Sequence, residues 1–259
     1  MTRGDPIVEV VDLEKSYLRG PEEVHALHGA SFTLHRGEVV ALVGPSGSGK
    51  TTLLNLLYGW EEPDEGEVRW AVGSGPSRSR PWSEVAVLPQ DLGLLEELPI
   101  RENVELPIRL SKEPRPEARA RMDALLDGFG LAELASRQPS EVSLGEQQRA
   151  AMARALVLKP YLVLADEPTG HQDAGWARAL FRALRDAADD DGITSFVATH
   201  SREFLRFADR ILAIRDGLVH EASAPSEAPA ADQAEDEGWH REVVGSPDDE
   251  FEWRVSPSR

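Results

Sequence analysis

The chain has 259 residues, no cysteine and a formal net charge of −18 at pH 7. The length allows one sizeable core, or one core plus a small subdomain, and the absence of cysteine excludes disulfides, a thiolate nucleophile and cysteine-ligated metal sites. The acidic balance argues against nucleic-acid binding, which usually needs a basic face. The apolar runs are shorter than the roughly 20 residues of a spanning helix, and residues 1–6 lack a secretory signal. We therefore expect a soluble, cytosolic protein that does not insert into the membrane.

The first third of the chain reads as strands, a loop and a helix. Short β-rich segments at 7–11 and 31–34 are bounded by turn residues. An apolar run at 38–43 then ends in a glycine-rich loop, and leucines at helical spacing follow it. A stretch rich in Gly, Ser, Pro and Arg at 71–82 is predicted to be a surface loop.

Helical and strand patterns alternate through the rest of the folded part. The block from 99 to about 158 is helical, and we assign one apolar face to Leu125, Leu126, Phe129, Leu131 and Leu134. Apolar runs return at 161–165, 193–198 and 211–214. Such alternation predicts a parallel sheet covered on both faces, with the helical block as a separate lobe.

The composition changes beyond His220. Residues 221–259 carry 11 acidic and 3 basic residues, and 221–238 contain no aliphatic side chain larger than alanine. Such a segment cannot bury enough apolar surface to offset the entropy of ordering it, so we predict a disordered acidic tail. Aromatic residues near the end keep a second interpretation open, a flexible tether with a docking segment.

The string GPSGSGKT at 44–51 matches the phosphate-loop pattern between its required strand and helix. Glycines let backbone N–H groups turn toward phosphates, and the following helix directs its positive end at them. Lys50 adds a charge near the β- and γ-phosphates, and the Thr51 hydroxyl can ligate Mg²⁺. The predicted nucleotide-binding residues are Gly44, Pro45, Ser46, Gly47, Ser48, Gly49, Lys50, Thr51 and Thr52.

Polar residues at strand ends supply candidates for the chemistry. Asp166 ends the apolar run at 161–165 and fits a second Mg²⁺ contact, while Glu167 can polarise the attacking water as a general base. The Gln90 amide can ligate Mg²⁺ or a water. The His200 imidazole can hydrogen-bond the γ-phosphate.

A second anion site is predicted where SLGEQQR, residues 143–149, opens an alanine-rich helix. One γ-phosphate does not need two helix N-termini from one chain. Ser143 and Gly145 are therefore expected to serve a nucleotide bound to a second copy of the protein.

Together these elements resemble the ATP-binding cassette (ABC) ATPases over residues 5–220. The resemblance assigns the family's named parts as follows: Tyr17 as the aromatic that stacks on adenine, 44–51 as Walker A, Gln90 as the Q-loop, 143–147 as the signature, Asp166 and Glu167 as the Walker B pair, Asp173 as the D-loop aspartate and His200 as the switch histidine.

The resemblance implies an α/β fold, a P-loop NTPase core with a mainly parallel sheet, an N-terminal antiparallel β part and an inserted helical subdomain at about 91–158. It implies an ATP-binding domain at 1–220 and a tail at 221–259. It further implies ATP and Mg²⁺ as cofactors, a head-to-tail dimer, and an integral-membrane permease as partner at the inner face of the cell membrane. Residues 100–107 and 145–149 are similar to the lipoprotein-releasing and macrolide-export branch.

The signature departs from the family pattern, because Leu144 stands where a glycine is usual. If that position needs a positive φ, leucine is strained there; if not, the change costs little. His171 and Gln172 also depart from the usual D-loop. These departures motivate an alternative function, an ATP-binding regulatory or scaffolding subunit with weak hydrolysis.

Overall fold

The computed structural model describes residues 2–73, 80–111, 116–168, 174–201 and 203–222, together with the backbone of 239–240 and 254–255. Its strands and helices follow in chain order: β1 Pro6–Arg19, β2 Glu22–His35, β3 Val39–Val43, α1 Lys50–Tyr58, β4 Glu65–Trp70, β5 Val85–Leu88, α2 Ile100–Leu110, α3 Pro116–Gly128, α4 Leu144–Leu156, β6 Leu162–Asp166, α5 Ala174–Asp191, β7 Thr194–Ala198, β8 Arg210–Arg215, β9 Leu218–Ala222, β10 Trp239–His240 and β11 Arg254–Val255.

A six-stranded sheet forms the centre, in the order β5-β6-β7-β3-β8-β9. All its neighbouring strands pair in parallel except β8 and β9. The four central strands β6, β7, β3 and β8 are almost wholly buried, as expected for a parallel sheet with both faces covered. The predicted mainly parallel α/β core is confirmed.

The N-terminal antiparallel part is a three-stranded sheet in the order β2-β1-β4. Its first two strands form a hairpin of 14-residue strands, much longer than the segments predicted at 7–11 and 31–34. Strand β4 was not predicted, because its sequence EGEVRW carries few apolar residues and most of it is exposed.

Three apolar clusters hold the elements together. Helices α4 and α5 cover one face of the central sheet, with Phe181 and Phe204 among the buried side chains. Helix α1 and the antiparallel sheet cover the other face, where Phe196 is buried. A third cluster joins α2, α3 and α4, and includes Ile100 and Val104. The helical block therefore has its own core, although α4 also packs on the central sheet.

The apolar face assigned to one helix in this block needs a correction. Helix α3 ends at Gly128, and Gly130 follows with φ 65°. Leu134 then lies in a separate 3₁₀ turn at Ala132–Leu134. Glycine accepts the left-handed backbone that stops the helix, so the apolar residues with this spacing lie on a helix end and a separate turn.

The last strand of the central sheet ends at Ala222, two residues beyond the predicted boundary at residue 220. The predicted tail otherwise lies outside the described residues, apart from the antiparallel pair of β10 and β11. In the part of the chain that the structure describes, no helix combines the length and the apolar character needed to cross a bilayer.

Candidate functional site

Four adjacent strands of the central sheet, β5, β6, β7 and β3, end at the candidate site. The predicted residues begin within two positions of these strand ends: Gln90 after β5, Glu167 after β6, His200 after β7, and the loop at 44–49 after β3. The carboxyl ends of parallel strands lie at one edge of the sheet, where ligands bind in such folds. The topology therefore collects residues that are far apart in sequence.

The first two residues of the loop at 44–49 bind the ammonium group of Lys50. Lys50 Nζ donates to Gly44 O at 2.8 Å and to Pro45 O at 3.0 Å. Burial lowers the pKa of Lys50, and two neighbouring carboxylates oppose that shift. Within the described residues, the buried Ser48 hydroxyl has no hydrogen-bond partner. A buried cation beside an unsatisfied hydroxyl suits the binding of an anionic phosphate.

Two glycines of this loop are fixed by their surroundings. A Cβ on Gly44 would lie 2.3 Å from Ile214 O and 2.7 Å from Ser48 Oγ. Gly49 has φ 102°, and a Cβ there would lie 2.4 Å from Ala26 O. Gly49 is also the N-cap of α1 and provides no side chain to cap it. The first N–H groups of α1 therefore have no side-chain cap, which suits phosphate oxygens.

The predicted magnesium ligands meet beside the loop. Thr51 Oγ1 donates to Asp166 Oδ2 at 2.7 Å, and Gln90 lines the same cavity. These hard oxygen atoms are the type that Mg²⁺ prefers. The described ranges contain no group of three acidic or histidine side chains that could hold a metal by themselves. The donor set thus fits a cation that shares its coordination with phosphates and water.

Glu167 lies directly against His200. Oε1 of Glu167 is 3.1 Å from Nε2 of His200, and the His200 backbone N–H donates to Oε2 at 3.4 Å. Burial raises the pKa of Glu167, and the charges of His200 and Lys50 oppose that shift. The backbone of Glu167 has φ 45°, a strained conformation for a residue other than glycine. A partly buried carboxylate with a raised pKa fits the role of general base.

Gln90 opens toward a cavity of about 290 Å³. The cavity is lined by Thr51, Leu54, Asn55, Tyr58, Trp60, Val87, Pro89, Gln90, Asp91, Leu164 and Asp166. Trp60 is 58% exposed although it packs edge-on against Tyr58. The cavity thus combines an apolar, aromatic wall with the Gln90 amide and the Asp166 carboxylate.

Tyr17, on strand β1, lies close to the start of helix α1. Its hydroxyl lies 3.5 Å from Thr52 Oγ1 on α1 and donates to the carboxylate of Glu61. Asn55 Nδ2 donates to the other oxygen of Glu61 at 2.7 Å. Sequence reasoning missed Glu61, since a glutamate in an acidic loop gives no signal of such a contact. Glu61 thus holds the Tyr17 hydroxyl close to the first turn of α1.

The N-terminus of α4 is capped by its own side chains. Ser143 Oγ accepts the Glu146 N–H at 3.4 Å, and Glu146 Oε2 accepts from the Ser143 N–H at 2.7 Å and from its hydroxyl at 2.8 Å. Leu144, the first residue of α4, is exposed and does not have a positive φ. The strain considered for leucine at this position is therefore absent.

The structure does not bring every predicted residue into one place. Within the described ranges, no hydrogen bond or ion pair joins Ser143 or Gly145 to the phosphate loop. This separation is compatible with the expectation that they serve a second copy. Asp173, with His171 and Gln172, lies outside the described residues.

Residues 27–170 match the protein family described as ABC transporter. The lipoprotein-releasing system ATP-binding protein LolD of Maricaulis maris is 41% identical over 220 residues, which cover 82% of this chain and 96% of that protein. The macrolide export ATP-binding/permease protein MacB of Azoarcus sp. is 38% identical over 231 residues, 86% of this chain and 35% of that protein.

Solved structures agree with these matches. The ATP-binding cassette MJ0796, in a dimeric post-hydrolysis state bound to ADP and Pi, superposes with a TM-score of 0.75 at 31% identity and covers 85% of this chain and 100% of that one. The family match spans more than half of the chain, and it includes the loop at 44–49, Gln90 and Glu167 at the sheet edge described above. The chain therefore belongs to the ABC transporter family, as one of its ATP-hydrolysing cassettes.

Proposed function

We propose that this chain is the ATPase subunit of a membrane transport complex of the lipoprotein-releasing or macrolide-export type, bound to a permease at the inner face of the membrane. Two relatives support the proposal. LolD is named as the ATP-binding protein of a lipoprotein-releasing system, and this chain spans 96% of it. MacB is named as a joint ATP-binding and permease protein, of which this chain covers 35%.

The contact between Glu167 and His200 is the observation that carries the catalytic assignment. Glu167 follows the buried strand β6, and its carboxylate lies 3.1 Å from the His200 imidazole. In the proposed reaction Glu167 accepts a proton from the attacking water, and His200 donates a hydrogen bond to the γ-phosphate. The raised pKa of Glu167 increases its basicity at neutral pH.

The phosphate-binding residues position ATP for this step. Lys50 exchanges its contacts with Gly44 O and Pro45 O for phosphate oxygens, and the buried Ser48 hydroxyl gains a phosphate oxygen as its partner. Thr51, Asp166 and Gln90 would hold Mg²⁺. When bound, this ion neutralises charge on the β- and γ-phosphates.

Two copies complete each other's sites in the proposed dimer. The exposed N-terminus of α4, with Ser143 and Gly145, contacts the γ-phosphate of ATP on the second copy, because the positive helix end favours an anion. Asp173 belongs to the same interface, and Tyr17 stacks on adenine. MJ0796, which covers 85% of this chain, is dimeric in its solved form.

Closure of the dimer is transmitted through the helical lobe to the permease. Gln90 stands between the central sheet and this lobe, beside the cavity with the exposed Trp60. We place the contact with the permease at the exposed Trp60, on the rim of this cavity, rather than at the Mg²⁺ ligands that also line it. The transported substrate is set by the permease.

Capture from the native membrane tests the proposal. Tagged Glu167→Gln protein, with ATP present, is recovered from detergent-solubilised membranes of its own source, beside a Trp60→Ala version. We expect a multi-spanning protein in stoichiometric amount with the first and a reduced amount with the second. Recovery of soluble partners alone, or of no partner, would contradict the transport role.

A further inference from the structure

A buried arginine on α4 connects that helix to the segment that follows Gln90. Arg154 is 5% exposed. Its Nη1 donates to Gly93 O and its Nη2 to Leu92 O, both at 2.5 Å. The guanidinium carbon lies 5.6 Å from the centroid of the Trp82 ring. Neither the nucleotide contacts nor the proposed catalysis uses this side chain.

The two carbonyls belong to an unusual piece of backbone. Leu92 has φ 61° and Gly93 has φ 54°, so two consecutive residues lie in the left-handed region. The Leu92 N–H donates to Pro89 O at 3.1 Å, which closes a turn with Gln90 inside it. Arg154 therefore holds the far end of the turn that presents Gln90. A strained turn persists only where its surroundings hold it in place.

A second buried polar side chain, on α2, binds the segment that follows Leu92 and Gly93. Asn103 on α2 is fully buried, accepts the Leu95 N–H at 2.7 Å and donates to Leu98 O at 2.8 Å. The chain from Leu92 to Leu98 is thus bound to α4 and α2 by side chains. Arg154 and Asn103 therefore attach the segment that follows Gln90 to helices α4 and α2.

Helix α4 carries Arg154 near one end and Ser143 at the other. Eleven helical steps separate the two residues, which corresponds to about 16.5 Å of a straight helix at about 1.5 Å per residue. Whatever fixes the Gln90 turn to Arg154 also fixes its distance from the Ser143 end. A side chain with two parallel donors suits this task, because a guanidinium fork fixes orientation as well as distance.

We propose that Arg154 is a positioning residue that ties the Gln90 turn to helix α4, so that Gln90 and the Ser143 helix N-terminus move as one body when two copies close on ATP. The inference rests on the proposed function, in which both ends contact nucleotide. The inference adds Arg154 as the side chain that links the nucleotide contact at Gln90 to the nucleotide contact at Ser143.

A double-mutant cycle between Arg154 and Gln90 tests the proposal through kcat. Arg154→Met should lower kcat about tenfold, because it removes charge-assisted bonds to two buried carbonyls, and should change ATP affinity less than about threefold. Arg154→Lys keeps the charge but loses the two parallel donors of the guanidinium group. Its kcat should lie between those of the wild type and of Arg154→Met. In a Gln90→Ala background neither change should lower kcat further, because the residue through which Arg154 acts is already gone.

Arg121→Lys is the matched control. Arg121 on α3 also donates to an α4 carbonyl, Leu156 O, at 3.1 Å, and it pairs with Asp191, but it does not touch the Gln90 turn. Its effect on kcat should stay within about twofold and be the same with and without Gln90. Thermal unfolding shows which variants are folded; if Arg154→Met is not, the cycle with Arg154→Lys decides.

The inference is overturned if the fold loss of kcat caused by the Arg154 substitution multiplies fully with the fold loss caused by Gln90→Ala. It is also overturned if a folded Arg154 variant has the wild-type kcat. Failure of the wider proposal is seen separately. If Glu167→Gln alone neither retains ATP nor forms a dimer, the proposed function fails. If Glu167→Gln retains ATP and forms a dimer, but the effects of the Arg154 and Gln90 substitutions on kcat are independent, only the role of Arg154 fails.

Discussion

Replacement of Gly44 by alanine tests the geometry of the phosphate loop. The new Cβ would lie 2.3 Å from Ile214 O, whereas ordinary contact begins at 3.4 Å, so the loop or strand β8 must move by about 1 Å. Overpacking of this kind costs about 1–3 kcal/mol of folding free energy. The same displacement moves the carbonyl that Lys50 contacts, and we expect ATP affinity to fall at least about tenfold.

Gly47→Ala and Gly130→Ala are the controls for this experiment. Both glycines have positive φ, 77° and 65°, and a Cβ added to either would meet no atom within 4 Å beyond its neighbours in the chain. Each substitution should cost only the strain of an L residue in the left-handed region, about 1–2 kcal/mol of folding free energy. The Gly130→Ala substitution, in the helical lobe, should leave the affinity for ATP unchanged. Denaturant unfolding and calorimetric titration with ATP measure both quantities. Gly44→Ala with wild-type stability and affinity would refute the reasoning.

Other substitutions address single contacts at the site. Lys50→Ala should weaken ATP binding at least about tenfold, because it removes the buried cation; near-native affinity by titration would contradict the phosphate-loop assignment. Glu167→Gln should stabilise the fold at about pH 8 but little near pH 4.5, because a raised carboxyl pKa means that the wild type loses stability as pH rises through that pKa. Equal thermal shifts at both pH values would contradict the buried charge. Leu144→Gly should change the ATPase rate less than about twofold, because φ there is not positive; a large gain would show that the natural site is weakened.

The sequence predicted the parts of the fold that repeat a strong pattern. The buried strands β3, β6 and β7 are continuous apolar runs, and each is followed by a polar residue of the site. Their position at one sheet edge follows from parallel pairing, so the grouping of Lys50, Glu167 and His200 could be anticipated. Strand β4 could not, because an exposed edge strand with charged residues has no apolar pattern of its own.

Other features depend on contacts that composition and spacing do not encode. The φ of Leu144 is set by the helix that starts there, and the sequence alone left strained and neutral alternatives open. Glu61 binds the Tyr17 hydroxyl, and Arg154 binds the carbonyls of Leu92 and Gly93. Each pair of partners is far apart in the sequence. In the sequence, the only indication of the Arg154 contacts is an arginine on the buried face of an alanine-rich helix, since charged side chains are rarely buried without partners.

The central claim is that two copies enclose ATP and that Glu167 drives its hydrolysis. The most direct measurement compares wild type and Glu167→Gln, with ATP and Mg²⁺, by size-exclusion chromatography with quantification of bound nucleotide. We predict that Glu167→Gln elutes as a dimer that retains two ATP molecules and loses most turnover, while the wild type hydrolyses ATP and returns to monomer. A Glu167→Gln protein that stays monomeric and hydrolyses ATP at the wild-type rate would contradict the account.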